Sequence, residues 1–204
     1  MRGSFVAPFL KSTMTVCIFA SSSSRINSEY AEAASELGIL LARARVDVVY
    51  GGGGIGLMGT LADSVIKTGG RITGVIPAFM KEEGWDHREV SEMIITPDMG
   101  ERKKEMFARA DAVVALPGGV GTLEELTEAI TLKQLGLFSG SIIILNTLDF
   151  YKSLIEFLDH MIEGHFLRYE HKGMWQIAAT PGEVMEYLAK NEVWIHDPRS
   201  IAKI

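Results

Sequence analysis

Short apolar runs alternate along this chain with longer amphipathic stretches, and within the runs every position is apolar instead of every second one. That pattern predicts strands covered on both faces, separated by helices. Strands are expected at 15–20, 46–50, 72–77, 93–96, 112–116, 141–145 and 175–179. Helices are expected at 30–45, 99–107, from Thr122 to about Leu137, at 150–162 and at 181–190, the last with Pro181 at or near its first position. The irregular polar stretches 78–92 and 163–172 read as loops. The implied fold is α/β: a Rossmann-like doubly wound parallel sheet with helices on both faces and right-handed crossovers. Residues 14–204 are expected to form one such domain. Met14 directly precedes the first strand, so residues 1–13 read as a leader or mobile extension.

The ends of three strands carry the chemistry. The run 112–116 stops in Pro117-Gly118-Gly119-Val120-Gly121-Thr122, and a glutamate-rich helical pattern starts at once. A strand, a glycine turn and a helix N-terminus suit an anion, because glycine admits close backbone approach and the first helical N–H groups lack intrahelical partners. Phosphate is the expected guest. Glu124 and Glu125 would repel a phosphate in contact, so one of them is expected to face another part of the ligand. A plain turn whose carboxylates complement the helix dipole accounts for the same residues.

At 51–59, GGGGIGLMG contains GxGxxG in two registers, but the following strand ends in Val75-Ile76-Pro77, where a dinucleotide fingerprint needs an acid. These glycines, Gly53 among them, therefore read as a second close-approach loop and not as an NAD site. After the first strand, Ser22 and its neighbours are placed either to reach a phosphate or ribose or to cap the next helix. Arg102 and Lys103 fall in a helical first turn, where the dipole disfavours cations. Function and a solvated charged face both explain that placement. Glu124, Glu128 and Thr131 share one face of the helix after the glycine turn. The stretch 78–92 fits a loop over a binding site or a surface excursion.

Composition narrows the classes. The chain of 204 residues is 47% apolar and 23% charged, as folded globular proteins are. A net charge of −6 and a pI near 5.4, with no basic run, argue against a nucleic-acid polymer or an anionic membrane surface and leave a small anion at a local site. Cys17 is the single cysteine and lies in an apolar run, which gives no disulfide framework. No apolar run is long enough for a membrane span and residues 1–13 lack a signal-peptide core, so a cytoplasmic location is expected. Walker, GxSxG and HExxH patterns do not occur, and the histidines are not spaced as metal ligands. What remains is a carboxylate and a guanidinium acting on a phosphorylated ligand. Ile130, Leu132, Leu135, Leu137 and Phe138 surround much of one helix, more apolar surface than a sheet face covers, which points to an isologous homodimer with its sites near the contact.

PGGVGTLEE at 117–125 resembles the PGGxGTxxE signature of the LOG ("lonely guy") family, often labelled lysine decarboxylase-like, and MGERK at 99–103 resembles its MHxRK element. GGGGIGLMG and VCIFASSSS at 16–24 resemble the family's glycine loop and first strand. The resemblance implies a Rossmann-like homodimer in cytokinin biosynthesis that hydrolyses nucleoside 5′-monophosphates, cytokinin ribotides or AMP, to free base and ribose 5-phosphate, with no cofactor. It implies that Arg102 and Glu125 are the catalytic pair. Gly118, Gly119, Val120, Gly121, Thr122 and Leu123 would form the phosphate loop, with Lys103, Glu124, Thr131, Ser22 and Gly53 as further substrate contacts. Both catalytic residues are expected at a ligand edge and outside the core. Gly100 stands where the family motif has His, and Ser21 where many members have Gly. A molybdenum-cofactor carrier built on the same scaffold is the alternative from another class.

Overall fold

The computed structural model describes residues 14–190. The expected leader at 1–13 and the end of the expected domain at 191–204 lie outside the described residues. In chain order the elements are β1 (Thr15–Phe19), α1 (Ser28–Arg43), β2 (Asp47–Tyr50), α2 (Gly56–Lys67), β3 (Ile72–Pro77), α3 (Ala78–Glu82) and β4 (Glu92–Thr96). There follow α4 (Met99–Ala108), β5 (Ala112–Ala115), α5 (Val120–Gln134), β6 (Ser141–Leu145), α6 (Lys152–Glu163), β7 (Gln176–Ala178) and α7 (Pro181–Lys190). All seven strands form one sheet in the order β4-β3-β2-β1-β5-β6-β7, and every neighbouring pair is parallel.

Burial on both faces is why β1, β2, β3, β5 and β6 read as unbroken apolar runs, while the edge strands β4 and β7 are partly exposed. Along β1, Val16 and Ile18 join one core layer with Leu37 and Leu41 of α1, Leu57 and Leu61 of α2, and Val184 of α7. Cys17 and Phe19 point the other way, toward Met106 of α4, Leu126 and Ile130 of α5, and Leu158 of α6. Each of those large side chains, taken fully out of water, contributes about 1.5–3 kcal/mol. From β1 the chain builds outward through β2, β3 and β4, then returns to add β5 on the other side of β1. The crevice above β1 and β5 is thus the switch point at which open parallel sheets bind ligands.

Four local points differ from the sequence reading. The segment after the glycine loop is a helix, α2, which its glycine-rich start had concealed from a periodicity argument. The stretch 78–92 contains the short helix α3 and is bridged to the glycine loop at Gly53–Asp86. The helix expected from 150 starts at Lys152, after a 3-10 turn at Thr147–Asp149, and the expected loop 163–172 leads into a 3-10 turn at Tyr169–Met174.

At the opposite end of the sheet from the crevice, Lys133 is only 2% exposed and its ammonium donates to the Gly140 carbonyl at 2.6 Å. Burial pulls its pKa down from 10.5 to about 8. The folded protein therefore binds this proton less tightly than the unfolded chain does, a handicap that is complete below about pH 8 and disappears as pH rises from about 8 to 10.5. Urea midpoints of the parent and Lys133→Met, compared over that interval, should show the parent gaining on the variant as pH rises. Parallel curves would contradict the burial of a charged lysine.

Candidate active site

Three loops meet at the switch point and hold one another. The Ser21 amide donates to the Pro117 carbonyl at 3.3 Å, and the Ser21 carbonyl accepts from the Met58 amide at 3.2 Å, so the serine loop is tied to both glycine loops. Tyr151 supports the third from below: its hydroxyl donates to the Leu116 carbonyl at 2.6 Å, just before Pro117. The loops enclose a cleft of about 600 Å³, within the range of small-molecule sites. Helices α1 and α4 begin with side-chain caps, Asn27 to the Glu29 amide and Asp98 to the Glu101 amide. Helices α2 and α5, which begin at the cleft, have none. At α5 the N-cap is Gly119, so the amides of the first turn have no side-chain acceptor.

At the floor of the cleft lies an ion pair. Arg102 Nη1 donates to Glu125 Oε1 at 2.9 Å, Nη2 to the Gly51 carbonyl at 3.1 Å, and Nε to the Val75 carbonyl at 3.0 Å. Both residues are 7% exposed and both line the cleft. They stand at the cleft edge and outside both hydrophobic core layers, as expected, but they are buried and not surface residues. Gly51 is obligatory here, since a Cβ on it would stand 2.0 Å from Arg102 Nη2. Burial raises the Glu125 pKa above the ordinary carboxylate value, more than the Arg102 charge and hydrogen bond lower it. The result is a carboxylate that is a stronger base than an exposed one, held in place by a guanidinium with two N–H groups beyond these three bonds.

The other expected contacts divide. Ser22, Gly53, Gly119, Gly121, Thr122 and Glu124 line the cleft. Nothing lies within 4 Å of a Cβ built on Gly119 or Gly121, so side chains there would enter open space at the anion loop. Gly118, Val120, Leu123, Lys103 and Thr131 do not line it. Gly118 has a steric role instead, because a Cβ on it would come within 2.1 Å of Thr122 Oγ1. Val120 and Leu123 are turned outward and exposed. Lys103 sits behind Glu124, paired with its carboxylate and with Glu128 Oε2 at 2.9 Å, and those carboxylates raise its pKa. The Thr131 hydroxyl donates to the Thr127 carbonyl within α5.

The sequence reading missed the cleft's apolar wall. Ile55, Met58, Ile76, Met80, Trp85 and Met99 form it. Only the loop around Trp85 had carried any signal, and that signal was ambiguous. The apolar residues look like core in a one-dimensional pattern, and nothing in their spacing separates a core methionine from one facing a cavity.

A doubly wound parallel sheet with an uncapped helix at a glycine turn, and a buried Arg–Glu pair beside it, defines a Rossmann-like protein built for a small phosphorylated ligand. The family model described as "possible lysine decarboxylase" matches residues 58–188. A probable cytokinin riboside 5′-monophosphate phosphoribohydrolase of Oryza sativa subsp. japonica is 39% identical over 173 residues, covering 85% of this chain and 69% of its own length. A cytokinin riboside 5′-monophosphate phosphoribohydrolase of Arabidopsis thaliana is 42% identical over 152 residues, covering 74% of this chain and 71% of its own length. The chain belongs to this LOG family of lysine decarboxylase-like proteins. The same fold occurs in the molybdenum cofactor carrier protein of Chlamydomonas reinhardtii, at a TM-score of 0.68 and 19% identity over 87% of this chain and 97% of that one. It recurs in the molybdenum cofactor binding protein of Rippkaea orientalis, at 0.67 and 20% over 87% and 96%.

The two halves of the ion pair should respond differently to replacement. Glu125→Gln keeps an oxygen for Arg102 but removes its counter-charge, so it should lower the Tm less than Arg102→Met does, while base release from a nucleotide falls by at least about 10²-fold. Arg102→Met leaves Glu125 buried without its partner and should cost about 3–5 kcal/mol. Thermal melts and chromatography of the free base check both, and an unchanged Tm for Arg102→Met would contradict the structural role.

Proposed function

We propose that the chain hydrolyses the N-glycosidic bond of nucleoside 5′-monophosphates, releasing free base and ribose 5-phosphate. The observation that carries this is the Arg102–Glu125 pair lining a cleft beside the open N-terminus of α5. In this reading the phosphate meets the Gly119–Thr122 turn and the ribose lies over Glu125. Water adds to the anomeric carbon as the carbon–nitrogen bond breaks: its oxygen stays on the sugar as a hydroxyl, one proton passes to Glu125, and the base departs with the bonding electron pair and takes up a proton. The developing oxocarbenium charge is met by the carboxylate. Arg102 keeps Glu125 oriented and presents its remaining N–H groups to the phosphate or the departing base.

The named activity of the curated relatives supports this reading over the carrier alternative, since the carriers share only the fold. The lining residues include no lysine for Schiff-base chemistry, so the decarboxylase in the family description has no counterpart in the cleft. Ile55, Met58, Met80, Trp85 and Met99 would receive an apolar substituent on the base, as in isopentenyladenine nucleotides. No helix among the described residues is long and apolar enough to cross a membrane, and we place the enzyme in the cytoplasm. We further infer a homodimer, because Leu135 and Leu137 beyond the end of α5 remain 58% and 71% exposed.

Incubation with AMP and with isopentenyladenosine 5′-monophosphate should release free base from at least one, whereas the unphosphorylated nucleosides should react poorly. Gly121→Val should fold and lose saturable AMP binding; equal rates on AMP and adenosine would show that the glycine turn is no phosphate site. Light scattering across a dilution series should give twice the 22.4 kDa chain mass. A monomer with undiminished activity would rule out the dimer.

A further inference from the structure

Residues 78–91 join β3 to β4 as a strap that contributes Met80 and Trp85 to the cleft wall. Backbone bonds hold the strap to the glycine loop: the Gly54 amide donates to the Trp85 carbonyl at 3.0 Å and the His87 amide to the Gly52 carbonyl at 2.9 Å. One side-chain contact anchors it elsewhere. His87 Nε2 lies 3.1 Å from Asp63 Oδ1 on α2, with the histidine side chain only 9% exposed. His87 Nδ1 accepts the Glu89 amide at 3.2 Å, which leaves the ring hydrogen on Nε2 and directs it to Asp63. Each ring nitrogen has one partner, so the ring's position and tautomer are both set. His87 is one of the histidines not spaced as metal ligands, and its packing has this definite geometry.

Helix α2 also carries Met58, which lines the cleft together with the strap's Met80 and Trp85. The distance between Met58 and the Met80–Trp85 pair therefore depends on how the strap seats against α2. Neither Asp63 nor His87 lines the cleft. We propose that the Asp63–His87 pair is a positioning clasp that sets the width of the apolar wall, and with it the preference for nucleotides bearing an apolar base substituent over AMP. The inference rests on the phosphoribohydrolase reading for its substrates, but not for the clasp itself. The hydrogen bond to His87 also holds the Asp63 carboxyl below its usual value, in keeping with a carboxylate that accepts from the ring. Lys67, 3.5 Å from the other Asp63 oxygen, is exposed and makes a weaker claim on it.

The test uses Asp63→Ala, His87→Ala and the conservative Asp63→Asn, which keeps an acceptor for Nε2. Asp63 is half exposed, so its replacement should leave the core intact, which melting curves of the variants check. The two alanine variants should raise KM for isopentenyladenosine 5′-monophosphate by about tenfold, a typical span for misfit in an apolar pocket, with kcat and the KM for AMP changed less than about twofold. Acrylamide should quench more of the fluorescence that Trp85→Phe removes. Asp63→Asn should behave like the parent. Equal KM increases for both nucleotides, or no change in either variant, would overturn the clasp. Should the parent release no base at all, the catalytic reading fails separately; calorimetric affinities for the same two nucleotides then decide, and an unaltered ratio in the alanine variants again overturns the clasp.

Discussion

The buried contact between Arg102 and Glu125 is the constraint around which the crevice is organised. Arg102 comes from α4, yet its guanidinium reaches the end of β2 through the Gly51 carbonyl, β3 through Val75, and α5 through Glu125. Those elements lie on both sides of β1 in the sheet. One side chain thus ties together the two halves that diverge from the switch point. A buried pair of this kind adds little net stability, because desolvation offsets most of the attraction. Its consequence is geometric: with all its partners on separate elements, the pair keeps its position only while the loops keep theirs.

The surrounding sequence follows from that demand. Gly51 must lack a side chain because the guanidinium occupies the space, and Gly118 because Thr122 does. Helix α5 begins at Gly119 without a side-chain cap, forgoing roughly a few tenths of a kcal/mol that a serine or aspartate there would add. Lys103, next to Arg102 on α4, pairs with Glu124 and does not line the cleft. Adjacent cations in one helical turn therefore serve two layers, one at the cleft and one behind it. The dipole argument that singled them out could not separate these tasks, because it sees position along the helix and not direction around it.

The parallel sheet and the anion turn were legible because each leaves a one-dimensional trace. Unbroken apolar runs mark strands buried on both faces, and Pro117-Gly118-Gly119 marks an abrupt stop at a sheet edge. Helix α2 was less visible because Gly56 and Gly59 interrupt its pattern, and α3 because five residues are too few to show a period. The roles of Tyr151, Gly51 and His87 were not legible at all. Each depends on a partner at a sequence distance of 24 to 51 residues, which only the folded topology brings within reach.

Likeness of backbone does not decide what happens in the crevice. The molybdenum cofactor proteins superpose on most of this chain at about one-fifth identity, a likeness of fold alone. In this chain the open amides come from the β5–α5 side, while Met58, Met80 and Trp85 come from the β2–β4 side, with the ion pair between them. The glycine-turn end is formed by backbone amides and glycines of one short segment. The apolar end is fixed by side chains on α2 and on a strap held by a few hydrogen bonds. Substitution can therefore reshape the apolar end without disturbing the charged one, and ligand preference should diverge along the strap before it diverges at the glycine turn.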